Sequence, residues 1–311
     1  MARRIEAALT TNYDVVLNEQ DEPMSADELR EALCSADAVL VTVTDRITSD
    51  ILSVEPSRTK FLGNFGVGFE HIDIEAAADR GITVTNTPDV LTDCTADLAM
   101  TLLLMAARRA GEGERHVRSQ SWTGWRPTQL MGTKFSGKTL GLIGMGRIAR
   151  SVARRAHFGF GLKIIFCDPQ PPPPEVTAEL SAEQCSLEEV LTNSDFVSVH
   201  CHGGKSTYHL IDAQELGQMK PEAILVNTAR GAVVNNEALI SALRDGNIMA
   251  AGLDVYEGEP MLNEGFLALE NVVLLPHLGS GTRETRIAMG NRVLGNLDAF
   301  IAGNRPQDKL E

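Results

Sequence analysis

Three charged residues late in this 311-residue chain stand where apolar runs end: Arg230 after AILVNTA, Glu259 in DVYEGEP and His277 after VVLLP. Their types fit one chemistry. The planar fork of an Arg holds a carboxylate and polarises a neighbouring carbonyl oxygen. A His supplies the proton that such a carbonyl needs when it is reduced. A carboxylate beside that His favours its charged form and fixes its orientation. Taken singly, each has a plainer reading: Arg230 as a structural ion-pair partner, His277 as a hydrogen-bonded core histidine, Glu259 as a solvated acid before Pro260. His71, His157, His200, His202 and His209 also lie near the ends of apolar or helical runs, so periodicity alone does not select His277.

A second set of residues points to a phosphate-bearing cofactor. TLGLIGMGRIARSVARRA (139–156) reads as a strand, a G-M-G-R-I-A turn and a helix. Gly144 permits a tight turn, Gly146 lets backbone approach a pyrophosphate, and the small Ala149 lets helix and strand pack closely. The helix start offers free N–H groups and a positive dipole end to the anion. The next apolar run, KIIFCD, ends in Asp168, about 20 residues further on, the spacing of an acid that binds the adenosine ribose. A strand before the glycines, a helix after them and an acid at this distance together indicate a dinucleotide site. Asp168 favours NAD (NADH) over NADP, since a carboxylate repels a 2′-phosphate and PQPPPPE after it carries no Lys or Arg.

These residues need strands to carry them. VVL (15–17), AVLVTV (38–43), FLGNF (61–65) and ITVTN (82–86) are strand-like, and KIIFCD (163–168), FVSVH (196–200), AILVNT (223–228), AAGLDV (250–255) and NVVLLP (271–276) continue the series. Helical patterns lie between, such as SADELREAL (25–33) after a capping Ser and NEALISALRDG (236–246). Strands alternating with helices predict parallel sheets. In open parallel sheets ligands bind at the carboxyl ends of strands, the edge on which Arg230, Glu259 and His277 fall. After ITVTN, Pro88 precedes one long helical pattern that runs to about residue 118, a candidate for carrying the chain from one domain to another.

Composition narrows the class. The net charge of −14 argues against nucleic acid, whose binding depends on Lys and Arg. Five scattered cysteines form no C-x-x-C pair and fit a reducing cytosol, so a cytoplasmic location is expected. The apolar stretch around 98–107 is too short to span a bilayer, so no membrane partner is expected.

At this point the chain resembles the D-isomer-specific 2-hydroxyacid dehydrogenases, and within them it looks like the glyoxylate/hydroxypyruvate reductase branch. The segments that carry the resemblance are NFGVGFEHID (64–73), TNTPDVLTD (85–93), WTGW (122–125), GLIGMGRIAR (141–150), VNTARGAVVN (226–235), AAGLDVYEGEP (250–260) and LLPHLGSGT (274–282). The resemblance implies an α/β fold of two doubly wound parallel-sheet domains, one Rossmann-type for NAD and one flavodoxin-like for substrate, with the active site in their cleft. Residues 1–90 and 283–311 would form a discontinuous substrate domain and 91–282 the NAD domain. It implies that Arg230 binds the substrate carboxylate, Glu259 orients and His277 exchanges the proton. Val67 and Gly68 align with backbone N–H groups that cradle the substrate carboxylate, a turn that is a plausible anion nest in its own right. Arg147 and Ile148 align with pyrophosphate contacts and Asp254 with a contact to the nicotinamide amide, while Thr228 and Gly279 join the cofactor set. Arg147 as a merely solvated residue and Asp254 as a turn cap stay open. The resemblance further implies a homodimer in which Trp125 reaches the partner's substrate pocket. CHGGKST (201–207) departs from the family's Pro-containing loop near the adenosine.

The expected activity is interconversion of a small 2-keto acid and its D-2-hydroxy acid. The alternatives are a non-catalytic NADH-sensing protein on the same scaffold and a related dehydrogenase for another small 2-hydroxy acid. The helical pattern begins almost at once, at Arg3, so the chain is expected to lack the first strand of its substrate domain, with Met1 standing inside the natural chain. Four parallel strands are then expected there, near 14–18, 38–43, 61–65 and 82–85, or some other segment filling the gap.

Overall fold

The computed structural model describes residues 3–20 and 22–311. The chain divides into two compact units, Met1–Leu91 with Gly281–Glu311, and Thr92–Ser280.

In the first unit three strands pair in parallel: β1 (Ala38–Val41), β2 (Phe61–Asn64) and β3 (Thr83–Thr85), in the order β1-β2-β3. Leu29, Leu33, Val39, Val41, Leu62 and Val84 are buried together on one side. On the other, Phe61 packs with Ile5, Leu9 and Leu297, bringing the helices Arg3–Asn12 and Arg283–Ile301 onto the sheet. Two glycines allow this approach. A Cβ at Gly63 would come within 3.0 Å of Val293, and one at Gly290 would lie 2.6 Å from Ile5. The helix Ala26–Ser35 starts as its sequence predicts, with Ser25 and Glu28 forming a reciprocal capping box.

The four-strand expectation fails at its first member. Residues 14–18 form no strand, and Val16 is fully exposed. β1 stands at the sheet edge, with no strand among the described residues between it and VVL. A short apolar run without an adjacent ladder has nothing to pair with, whatever its propensity.

The second unit is a seven-stranded, wholly parallel sheet. Its strands are β4 (Thr139–Ile143), β5 (Lys163–Cys167), β6 (Glu183–Gln184), β7 (Phe196–Val199), β8 (Ile224–Asn227), β9 (Ala250–Leu253) and β10 (Val272–Leu274). Their order, β10-β9-β8-β7-β4-β5-β6, is that of a doubly wound dinucleotide-binding sheet with one added strand, and it reverses direction between β4 and β7. Near-continuous apolar strands explain the double covering. Leu140, Leu142, Ile164, Phe166 and Phe196 face the helices Thr92–Ala107 and Arg147–Phe160. Ile143, Val197, Val199, Leu225 and Leu253 face the helices Leu187–Asn193, Ala213–Gln218 and Asn236–Arg244.

The long helix expected after Pro88 is two. Thr92–Ala107 ends, Arg109 adopts a left-handed φ of 50°, and Ala110–Arg118 begins. The cause lies outside the helix: the Thr133 N–H takes the Ala107 carbonyl at 2.8 Å. No helix among the described residues is long and apolar enough to cross a membrane.

Candidate active site

The sequence-predicted residues of the second unit gather on one edge of its sheet, because a parallel sheet puts every strand's carboxyl end on the same side. β4 runs into Gly144, β5 into Asp168, β8 into Thr228 and Arg230, β9 into Asp254 and Glu259, and β10 into His277.

Glu259 and His277 form a direct pair. His277 Nδ1 lies 2.7 Å from Glu259 Oε2, and Glu259 Oε1 accepts from the Tyr256 N–H at 2.8 Å. Burial alone would push the Glu259 carboxyl up. The His277 hydrogen bond, the Tyr256 N–H and the positive charges of His277 and Arg230 outweigh it and hold the group below its ordinary value. The pair therefore keeps a carboxylate on Nδ1 and leaves Nε2 to exchange a proton. Arg230 is half-buried; its Nη1 donates to the Ala229 carbonyl at 2.7 Å, and its own carbonyl accepts from Asn227 Nδ2 at 2.9 Å.

His277 has a φ of 54°, a left-handed conformation that costs a non-glycine residue about 1–3 kcal/mol. Asp254 holds it there. The Asp254 carbonyl accepts from the His277 N–H at 2.9 Å, and its carboxylate accepts from Leu278 at 2.6 Å and Gly279 at 2.8 Å. Asp254 is 1% exposed, and burial raises its carboxyl despite these donors. Asp254 thus caps the turn that carries His277.

The other histidines differ. Desolvation pushes the half-buried His200 imidazole down to about 4, and its Nε2 lies 2.8 Å from Ser198 Oγ, so it is neutral near pH 7. His157 Nδ1 is tied to the Leu162 carbonyl, and His209 Nε2 lies 2.9 Å from Glu257.

The glycine loop fits a dinucleotide. Gly144 has a φ of 91°, and a Cβ there would meet the backbone of Cys201 at 2.8 Å. Gly146 caps the helix Arg147–Phe160, and a Cβ there would meet nothing within 4 Å, so its surface is open to an approaching pyrophosphate. Ala149 is fully buried against the core, Arg147 exposed and Ile148 half-buried. Asp168 caps the loop from the end of β5, its carboxylate accepting from Met145 and Gln170, each at 2.7 Å. Thr228, at the same edge, is buried, and its hydroxyl has no partner among the described residues.

Val67 and Gly68 lie in the first unit, in the turn that follows β2. Trp125 lies in an irregular segment and is 82% exposed. Sequence reasoning missed Tyr256, whose hydroxyl ties the Leu253 and Leu275 carbonyls together at 3.2 and 2.8 Å beneath the Glu259 turn. It also missed Gly231, where a Cβ would lie 1.8 Å from the Tyr256 carbonyl carbon. The Gly directly after Arg230 was the available signal.

The pattern of the family described as "D-isomer specific 2-hydroxyacid dehydrogenase, NAD binding domain" matches residues 100–279. A glyoxylate reductase of Thermococcus litoralis is 46% identical over 298 residues, 94% of this chain and 89% of that one. Another, of Aeropyrum pernix, is 45% identical over 303 residues, 96% of this chain and 90% of its own. Among solved structures, a glyoxylate reductase from Paecilomyes thermophila superposes with a TM-score of 0.87 at 33% identity, covering 99% of this chain and 94% of that one. The holo form of D-mandelate dehydrogenase from Rhodotorula graminis gives 0.87 at 30% identity, covering 99% and 94%. The chain belongs to the D-isomer specific 2-hydroxyacid dehydrogenase family and is an oxidoreductase that interconverts small 2-keto and 2-hydroxy acids with a nicotinamide cofactor.

Proposed function

We propose that this enzyme reduces glyoxylate or hydroxypyruvate to the D-2-hydroxy acid with NADH. The observation that carries the reading is the His277–Glu259 pair at 2.7 Å, under the charge of Arg230 and on the sheet edge that also bears the glycine loop. The bound nicotinamide supplies the hydride that C2 receives. His277 protonates the developing alkoxide, with Glu259 supporting the imidazolium, and Arg230 holds the carboxylate and polarises the keto oxygen. Val67 and Gly68 offer backbone N–H groups to a carboxylate. Gly144, Gly146, Arg147 and Ile148 hold the pyrophosphate, Asp168 the adenosine ribose, and Thr228, Asp254 and Gly279 the nicotinamide end. NADH consumption across a panel of 2-keto acids tests the reading. Tight NADH binding without turnover of any of them would leave a nucleotide-binding protein instead.

Glu259→Gln tests the pair through rate. The amide keeps the shape but removes the charge that His277 faces at 2.7 Å, so kcat for keto-acid reduction should fall about tenfold or more, as for a lost charge-assisted hydrogen bond. A variant with wild-type kcat would count against the pairing.

Asp168 sets the cofactor preference. A 2′-phosphate would face its carboxylate, a like-charge contact costing several kcal/mol, so kcat/KM with NADH should exceed that with NADPH by about 100-fold or more. Equal constants would remove the charge argument. We also infer a cytoplasmic homodimer in which the exposed Trp125 reaches the partner's substrate pocket, and a monomer in light scattering at micromolar concentration would end that inference.

A further inference from the structure

Two buried asparagines stand at the carboxyl ends of neighbouring strands in the first unit. Asn64 is the last residue of β2, and Asn86 directly follows β3; both are at least nine-tenths buried. Gly63 pairs with Thr85, so the two asparagines are next in register.

Both spend their side-chain amides on the turn that holds Val67 and Gly68. Asn64 Nδ2 donates to the Gly66 carbonyl at 3.2 Å and to the Gly68 carbonyl at 2.8 Å. Asn86 Nδ2 donates to the Val67 carbonyl at 2.8 Å. Three consecutive carbonyls are thereby pinned to side-chain donors. Among the described residues, the Val67 and Gly68 N–H groups donate to no protein acceptor. The amide orientation is fixed by chemistry: exchanging oxygen and nitrogen of Asn64 would set its oxygen against two carbonyl oxygens.

Asn86 is itself braced. Its N–H donates to the Asp308 carbonyl at 3.3 Å, and its carbonyl accepts from Asn296 Nδ2 at 3.4 Å. Asn296 Nδ2 also reaches Asp308 Oδ2 at 2.9 Å, and Arg292 grips both Asp308 oxygens at 2.6 and 2.7 Å. Lys309 bridges Thr85, and the Leu310 N–H donates to the Val84 carbonyl. The C-terminal segment is therefore tied to the end of β3 from which Asn86 projects.

We propose that Asn64 and Asn86 are positioning residues for anion affinity, a clamp that turns the 66–68 carbonyls away from the ligand and keeps the Val67 and Gly68 N–H groups available to a substrate carboxylate, with Asp308 bracing it from behind. This deepens the reading above and rests on it for the identity of the anion. The Thr87 N–H also holds the Gly66 carbonyl, at 3.0 Å; Val67 and Gly68 carbonyls that were free to rotate would present negative oxygens to that anion instead of N–H groups.

The test is calorimetric binding of oxalate, a two-carbon carboxylate with no reducible carbonyl, to the NADH-bound protein. Asn86→Leu keeps much of the volume and adds no charge but loses the donor; Asn86→Ala is the second variant. Each should bind oxalate about tenfold more weakly, as expected for a lost hydrogen bond that orients charge-binding donors. The NADH Kd should stay within about twofold and kcat within about threefold, while the KM for glyoxylate rises in step with the oxalate Kd. Unchanged oxalate affinity in the folded variants would overturn the proposal, as would parallel loss of NADH and oxalate binding, the mark of general structural damage. A wild-type protein that binds no oxalate overturns it too. Oxalate binding without glyoxylate reduction would instead fail the functional reading, and the variants' oxalate Kd values would still decide on the clamp.

Discussion

His277→Ala should lose about 10²–10⁴-fold in keto-acid reduction while binding NADH almost as the wild type does. The range is that of a general acid removed from a carbonyl reduction. The structure narrows the candidates for a substitute donor. His200 is neutral, with desolvation pushing its imidazole down to about 4, and His209 is engaged with Glu257. The substitution also relieves the left-handed φ of 54° only slightly, since Ala shares the penalty, so the fold should change little. Stopped-flow NADH fluorescence separates binding from turnover. Activity within a few-fold of wild type would take the proton-donor role away from His277.

Gly231→Ala should be nearly as severe, by a different route. The added Cβ would lie 1.8 Å from the Tyr256 carbonyl carbon and 2.3 Å from the Glu257 nitrogen, both backbone atoms that no rotamer can move aside. The turn after β8, which carries Arg230, must then separate from the turn after β9, which carries Glu259. A misplacement near 1 Å in a catalytic constellation costs about 100-fold. Overpacking of this kind also costs about 1–3 kcal/mol of stability, a fall in Tm of about 2–4 °C for each kcal/mol in a unit this size. A methyl group that left both kcat/KM and Tm unchanged would show that the two turns do not depend on their contact.

How much of this was legible beforehand follows from the physics of each feature. Arg230, Glu259 and His277 could be found because apolar runs mark strands, and parallel strands end on one edge. The glycine loop was legible for the same reason, with Asp168 at the end of the next run. The break at Arg109 was not. The helical pattern runs straight through it, and the helix stops because Thr133, well along the chain, takes the Ala107 carbonyl. The run at 14–18 has strand-like residues, but pairing depends on a neighbour that local composition does not reveal. The amides of Asn64 and Asn86, the carboxylate of Asp254 and the hydroxyl of Tyr256 all act on backbone groups of turns. Any polar residue at a strand end looks alike in sequence until the turn it serves has been placed.

The interrupted first unit imposes an order on synthesis. Thr92–Ser280 is one unbroken stretch, so its seven strands can close as soon as that stretch has left the ribosome. Phe61 of the other unit must wait for Leu297 and Phe300, whose ring lies 5.2 Å from its own, and Asn86 must wait for Asp308. Domains fold as units during translation at about 5–20 residues per second, so the early β1–β3 segment stays without its covering helix for tens of seconds while the nucleotide-binding unit is made. During that interval the apolar face of β2 has only Ile5 and Leu9 of the helix Arg3–Asn12 to cover it, and chaperone protection of a nascent chain stalled before residue 283 should be greater than that of the finished protein.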